Sequence, residues 1–300
     1  MRLRWILLPL GVLAVGAAVA YYLFWVPPQL ADDYEEKAEP EHAKIGQTLS
    51  QVTGEFNNVV LGTIAFKRKD ARAYMRTYLR VAARDMREQR RALRRVRRAR
   101  RELARIDESA LTEPPDWPLL GSRGDMEDAQ ALAGKERDYL RKARAFLRDF
   151  AALLAYEVRA DRWIGRHNLS FARAETRIPK VATSPGQITG PLDAAALRAE
   201  LAVRGYRRLK PPKPMRAEHR RVAREMQRDI RDQRAISRAV KRNDFTRVRA
   251  IERRVKRDLK RRNRASRAAL AWLVDRSRYA RQIEDLKRRE TKGYEAFEDL

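Results

Sequence analysis

The sequence predicts an all-α protein: an N-terminal single transmembrane helix, then an antiparallel helical bundle with long, coiled-coil-like helices. Three observations carry this expectation. Trp5–Val26 is an unbroken apolar run with no carboxylate, amine or guanidinium side chain. Beyond it, apolar side chains recur at three- and four-residue spacing, the period of one helix face. No run of six or more residues alternates apolar with polar, so no strand is expected.

The first element is the apolar run. At about 1.5 Å of rise per residue, its 22 residues reach across a hydrocarbon core of roughly 30 Å. Trp5 stands at one end, and Tyr21, Tyr22, Phe24 and Trp25 at the other, where amphipathic rings favour the headgroup level. Arg2 and Arg4 precede it, whereas Asp32, Asp33, Glu35, Glu36, Glu39 and Glu41 lie beyond it. The positive flank stays inside. Residues 1–4 are therefore expected as a cytoplasmic tail, 5–26 as a signal-anchor and the remainder as extracytoplasmic. Ala18-Val19-Ala20 has the form of a processing site, so secretion after cleavage near Ala20 is the alternative.

Pro27-Pro28 is expected to end that helix, and 27–44 to form an acidic, solvated spacer interrupted by Pro40. The basic bundle is expected over 45–300. Its first helix carries the seam Ile45, Leu49, Val52, Phe56, Val59, Thr63 and Phe66. The seam is reset near Asp70 and resumes at Met75, Leu79, Ala82, Met86, Gln89, Leu93, Val96, Arg100 and Leu103, ending near Ala110 before Pro114-Pro115. A second helix, about 125–161 with Asp125 as N-cap, carries Ala129, Leu132, Leu140, Ala143, Leu147, Phe150, Leu154 and Val158 inward. Pro179, Pro185, Gly186, Gly190 and Pro191 predict an irregular connector over about 163–191. A third helix is expected over about 192–209, stopped by Pro211-Pro212. The fourth, about 215–242, turns Val222, Met226, Ile230, Gln233, Ile236 and Val240 inward. Asn243-Asp244 reverses the chain, Asn taking a left-handed C-terminal position and Asp capping the last helix. That helix, to about Lys292, carries Phe245, Val248, Ile251, Val255 and Leu259 inward, then Ile283 and Leu286.

Composition bounds the function. The chain has no cysteine, which excludes disulfides, thiol chemistry and thiolate metal sites. Net charge is +28, and 54 of the 68 basic residues are arginine, the side chain suited to bidentate grip on phosphate or carboxylate. Residues 67–105 hold 17 basic against 4 acidic residues, and 207–292 hold 32 against 11. On the first of these, Arg84, Arg87, Arg91, Arg94, Arg98, Arg101 and Arg105 keep a 3-4 spacing that holds them on one face, away from the seam. Arg249, Arg253, Lys256, Lys260, Arg264 and Arg267 make a similar row. These thirteen are the candidate anion-binding residues.

No catalytic, cofactor-binding or metal-binding residue is expected. His42, His167 and His219 lack zinc-site spacing, and no phosphate loop or nucleophile elbow occurs. Asp85 and Glu136 fall on or beside apolar seams, where an ion pair with an arginine inside the bundle is expected. The predicted function is a membrane-anchored, extracytoplasmic binding or scaffolding protein whose arginine faces contact an anionic wall polymer, lipid headgroups or an acidic protein. One alternative is a ligand-sensing bundle that acts through a partner. Another is a nucleic-acid-binding protein, if the topology is reversed. No aromatic side chain lies between Arg80 and Arg105, so base stacking is not provided for. Helix seams of this length also suit a homo-oligomer.

Overall fold

The computed structural model describes residues 21, 26–61, 71–113, 123–179, 181–258, 261 and 278–298, with side chains omitted at 27–28, 54–61, 71–85 and 123–125. Every regular element among them is helical. Helix α1 spans Val26–Leu61, α2 Ala71–Leu103, α3 Glu108–Thr112, α4 Arg123–Arg177 and α5 Pro185–Arg207. A 3₁₀ turn, Lys213–Met215, leads into α6, Arg216–Lys241. Residues 245–258 form α7, and α8 is Arg278–Glu298. The described residues fall into two compact units. The first draws on residues up to Thr53, Arg98–Leu147 and those from Gln282 onward; the second on Gly54–Arg97 and Arg148–Arg281.

The transmembrane expectation for 5–26 lies outside the described residues, save Tyr21 and Val26. Among the described residues no helix is long and apolar enough to cross a membrane.

The stretch expected as a solvated spacer is helical. Pro27 and Pro28 are themselves helical in α1, and Pro40 is accommodated inside the helix. Ala31, Tyr34, Ala38, His42, Ile45, Leu49 and Val52 are all buried, so one stripe runs through the acidic stretch into the predicted seam. Facing them in the first unit are Leu103, Ile106 and Leu111, then Met126, Leu132, Tyr139, Leu140, Phe146 and Leu147 of α4, with Leu286 and Phe297 of α8. Tyr34 donates its hydroxyl hydrogen to the Leu111 carbonyl at 2.8 Å.

Helix α2 stops at Leu103, earlier than expected, because Asp107 caps a new short helix. Its carboxylate accepts from the N–H groups of Ser109 and Ala110 at 3.1 and 3.3 Å. On α2 the seam runs through Ala92, Leu93, Val96, Ala99 and Leu103, and Arg100 is exposed. Arg123 is already helical, so Asp125, expected as the N-cap, lies inside α4, and the helix continues sixteen residues past the predicted end at 161. The predicted stripe is buried from Ala129 to Leu154, with Val158 half-buried.

The predicted connector is mostly helix. Only 178–184 departs from it, apart from residue 180, which is not described. Pro185 opens α5 at a position where proline is favoured, and the Gln187 side chain reaches back to accept the Thr183 N–H at 2.8 Å. In the second unit α5 and α6 pack against each other through small residues, Ala195, Ala196, Ala199 and Ala202 on α5 and Ala223 on α6. Met226, Ile230, Tyr156, Val203 and Tyr206 complete that core. The reversal after α6 agrees with the sequence: Asn243 has φ 56°, and Asp244 accepts the Arg247 N–H at 2.9 Å. Phe245, expected inward, is 52% exposed because it stands at the first position of α7, outside the helix pairing.

Candidate functional site

Helix α2 sets its apolar seam against the core, and the opposite face carries the arginines. Arg87, Arg91 and Arg94 are exposed in the second unit; Arg98, Arg101 and Arg105 are exposed in the first. Arg98 is paired with Glu102 at 2.9 Å, one helical turn on. Arg87, Arg91, Arg94 and Arg101 have no carboxylate partner among the described residues. Arg105 is set off the row: it lies past the end of α2, in the turn before α3. There it lines an open groove of about 400 Å³ with Glu41, Lys44, Gln47, Thr48, Gln51, Glu102 and Ile106. Lys44 is held by Glu41, and Glu102 by Arg98, so Arg105 is the unpaired charge of that groove among the described residues. Of the second row, Arg249, Arg253 and Lys256 are exposed on α7; the side chains of Arg84, Lys260, Arg264 and Arg267 lie outside the described residues. Such rows repel themselves by a few tenths of a kcal/mol per like-charged i,i+4 pair, which an anionic partner relieves.

The three histidines, which lack zinc-site spacing, all lie on helices: His42 on α1, His167 on α4 and His219 in the first turn of α6. Each is buried in a helical core. His42 is completely shielded, with its Nδ1 2.7 Å from Glu136 Oε2 and its Nε2 3.1 Å from the Glu290 carbonyl oxygen. A carbonyl only accepts, so Nε2 carries a hydrogen, and a second proton must lie between Nδ1 and the carboxyl group. The pair is therefore neutral as a whole, which is what permits its burial. It joins α1, α4 and α8 at one point. Glu136 thus finds a histidine and not the arginine expected; Asp85 lies outside the described side chains.

Tyr139, Tyr294 and Phe297 ring His42 at centroid distances of 5.1, 4.7 and 5.6 Å. Burial and the nearby Glu290 and Glu136 carboxyls push the Tyr139 hydroxyl well above the usual tyrosine range, and it has no hydrogen-bond partner among the described residues.

In the second unit, His219 stacks on Tyr206 at 4.5 Å, and its Nδ1 is 3.0 Å from the Tyr156 hydroxyl. Tyr156 in turn is 3.3 Å from the Tyr206 hydroxyl. Burial, and then the charge of Arg220, lower the His219 pKa, so this ring stays neutral. His167 Nε2 donates to the Met226 carbonyl at 3.1 Å. A signal for two of these clusters was present in the chain: Glu41-His42 and Gly293-Tyr294 recur as Glu218-His219 and Gly205-Tyr206.

Several acidic side chains of the described residues are held by cations. Asp285 of α8 meets Lys142 at 3.1 Å, Arg288 at 2.7 Å and Arg289 at 3.1 Å, and those cations hold its carboxyl well below the usual range, Arg288 first. Arg289 also reaches Asp138 at 2.8 Å. Glu157 is the opposite case. Burial, and then the charge of Asp161, push its pKa up to about 8. Among the described residues no group of three or more histidines and acids could hold a metal ion.

The chain matches no protein-family model, no curated protein and no solved structure.

Proposed function

We propose that this is a membrane-tethered helical binding protein whose exposed arginine faces dock an anionic partner outside the cytoplasm. The observation that supports it is the face of α2, where Arg87, Arg91, Arg94 and Arg101 stand exposed with no carboxylate partner among the described residues. A stable helix that tolerates this density of like charge is suited to a polyanion, and guanidinium favours bidentate phosphate or carboxylate contacts. The apolar run 5–26, with its acidic C-terminal flank, supports the tether and the outward placement.

Two measurements test the reading. Retention of the full chain on a phosphate-bearing resin should fall steeply between low and moderate salt, since the screening length at 0.1 M is about 10 Å. The fourfold variant Arg91→Glu, Arg94→Glu, Arg98→Glu, Arg101→Glu should lose retention; unchanged retention defeats the proposal. A reporter fused after Leu300 should be active only on the outer side of the membrane, and activity inside overturns the topology.

A further inference from the structure

Helix α5 presents an outer stripe that its own unit leaves uncovered. Leu197 and Leu201, one turn apart, are 60% and 63% exposed, while the inward face of the same helix is buried alanine. The two acids at the edge of the stripe are already held from α6: Asp193 by Lys241 at 2.9 Å and Glu200 by Arg234 at 2.8 Å. Arg198, Arg204 and Arg208 are exposed and have no carboxylate partner among the described residues. The stripe is thus two leucines framed by three free guanidinium groups, with the local acids cancelled.

That combination selects its occupant. A second copy of the chain would bring the same cations against themselves, in a molecule of net charge +28. A neutral apolar partner would cover the leucines and strand the arginines. An anionic lipid surface answers both: leucine side chains enter the headgroup–acyl boundary, and arginines extend along it to the phosphates.

We propose that the outer face of α5 around Leu197 and Leu201 seats on anionic lipid headgroups, with Arg198, Arg204 and Arg208 on the phosphates. The inference rests on the tethered reading, which keeps α5 near a bilayer.

The absence of cysteine makes the test direct, because a single introduced cysteine is labelled uniquely. The full chain carrying Leu201→Cys is labelled with an environment-sensitive fluorophore and incorporated at one copy per lipid nanodisc, either neutral phosphatidylcholine or a mixture with phosphatidylglycerol. In anionic discs the label should gain at least twofold in intensity, shift to the blue and be quenched by brominated lipid. In neutral discs it should do none of these. A label at Glu252→Cys on exposed α7 should not respond. Arg198→Glu, Arg204→Glu, Arg208→Glu, all at exposed and unpaired positions, should abolish the response while circular dichroism is unchanged. An unshifted label in disc-bound chain overturns the inference alone. An equal shift in neutral discs overturns the headgroup assignment, and a shift requiring two chains per disc means self-association and overturns it too. Failure of the chain to enter discs at all overturns the tether, and is read separately as loss of co-elution.

Discussion

Replacing Gly293 with alanine should destabilise the protein by about 3 kcal/mol or more, although alanine is the better helix former by about 1 kcal/mol. The reason is the ring of His42. A Cβ at 293 would lie 2.8 Å from Nε2 and 2.9 Å from Nδ1, and nearer still to Cε1. The ring has nowhere to slide, being enclosed by Tyr139, Tyr294 and Phe297 and fixed at both nitrogens. Accommodation therefore breaks a charge-assisted hydrogen bond, about 1.5–3 kcal/mol, and leaves Glu136 buried without its partner, a situation that costs about 3–5 kcal/mol in ion pairs of this kind. Gly134 provides the control: an added Cβ there meets nothing within 4 Å, so the same substitution should stabilise by about 0.5–1 kcal/mol. Urea denaturation of the full chain, monitored by circular dichroism, reads both as shifts in midpoint at constant slope. If Gly293→Ala matches the parent, or Gly134→Ala harms as much as Gly293→Ala, the packing argument is wrong.

The remaining expectations concern other packing and charged sites. Gly205→Ala should also destabilise, because its Cβ would meet three atoms of the Trp163 indole at 2.6 Å; equal urea midpoints would refute it. Asp285→Asn should cost about 1–2 kcal/mol at pH 7 by removing ties among Lys142, Arg288 and Arg289. Since the folded pKa is depressed, that stability is complete above the unfolded carboxylate range near 4 and is lost as pH falls below it, so the variant should show a shallower acid limb. Glu157→Gln should act at the other end. The folded state keeps a proton that the unfolded chain loses near 4.5, so the parent weakens by up to about 1.4 kcal/mol per pH unit as pH rises toward 8, and the variant should lack this slope.

Much of the architecture was readable because helix periodicity survives wherever the buried side chains are aliphatic. Ile45, Leu49 and Val52, or Leu140, Leu147 and Leu154, announce their faces. The misreadings share one cause. In 27–44 the inward positions are Ala31, Tyr34, Ala38 and His42, small or polar residues that hydropathy does not flag, and prolines and acids draw attention instead. Across 163–191 the same holds for His167, Ser170, Ala172 and Ala174, while Pro185 opens α5 at its first position and Pro191 is accommodated inside that helix. The exposure of Arg87, Arg91, Arg94, Arg98 and Arg101 was legible as one face of α2, because exposure derives from spacing. The place of Arg105 was not, since a capped turn at Asp107 ends the helix two residues before it.

One detail of α1 bears on how force would enter the protein. Proline at 40 has no amide hydrogen, so the Glu36 carbonyl lacks its helical donor and the backbone ladder of α1 is interrupted there. A pull applied at the N-terminal side of α1 would find that rung missing. The Tyr34 hydroxyl, fastened to the Leu111 carbonyl, offers it a transverse route into α3, so the N-terminal part of α1 and the interior of the first unit are mechanically coupled through a phenol.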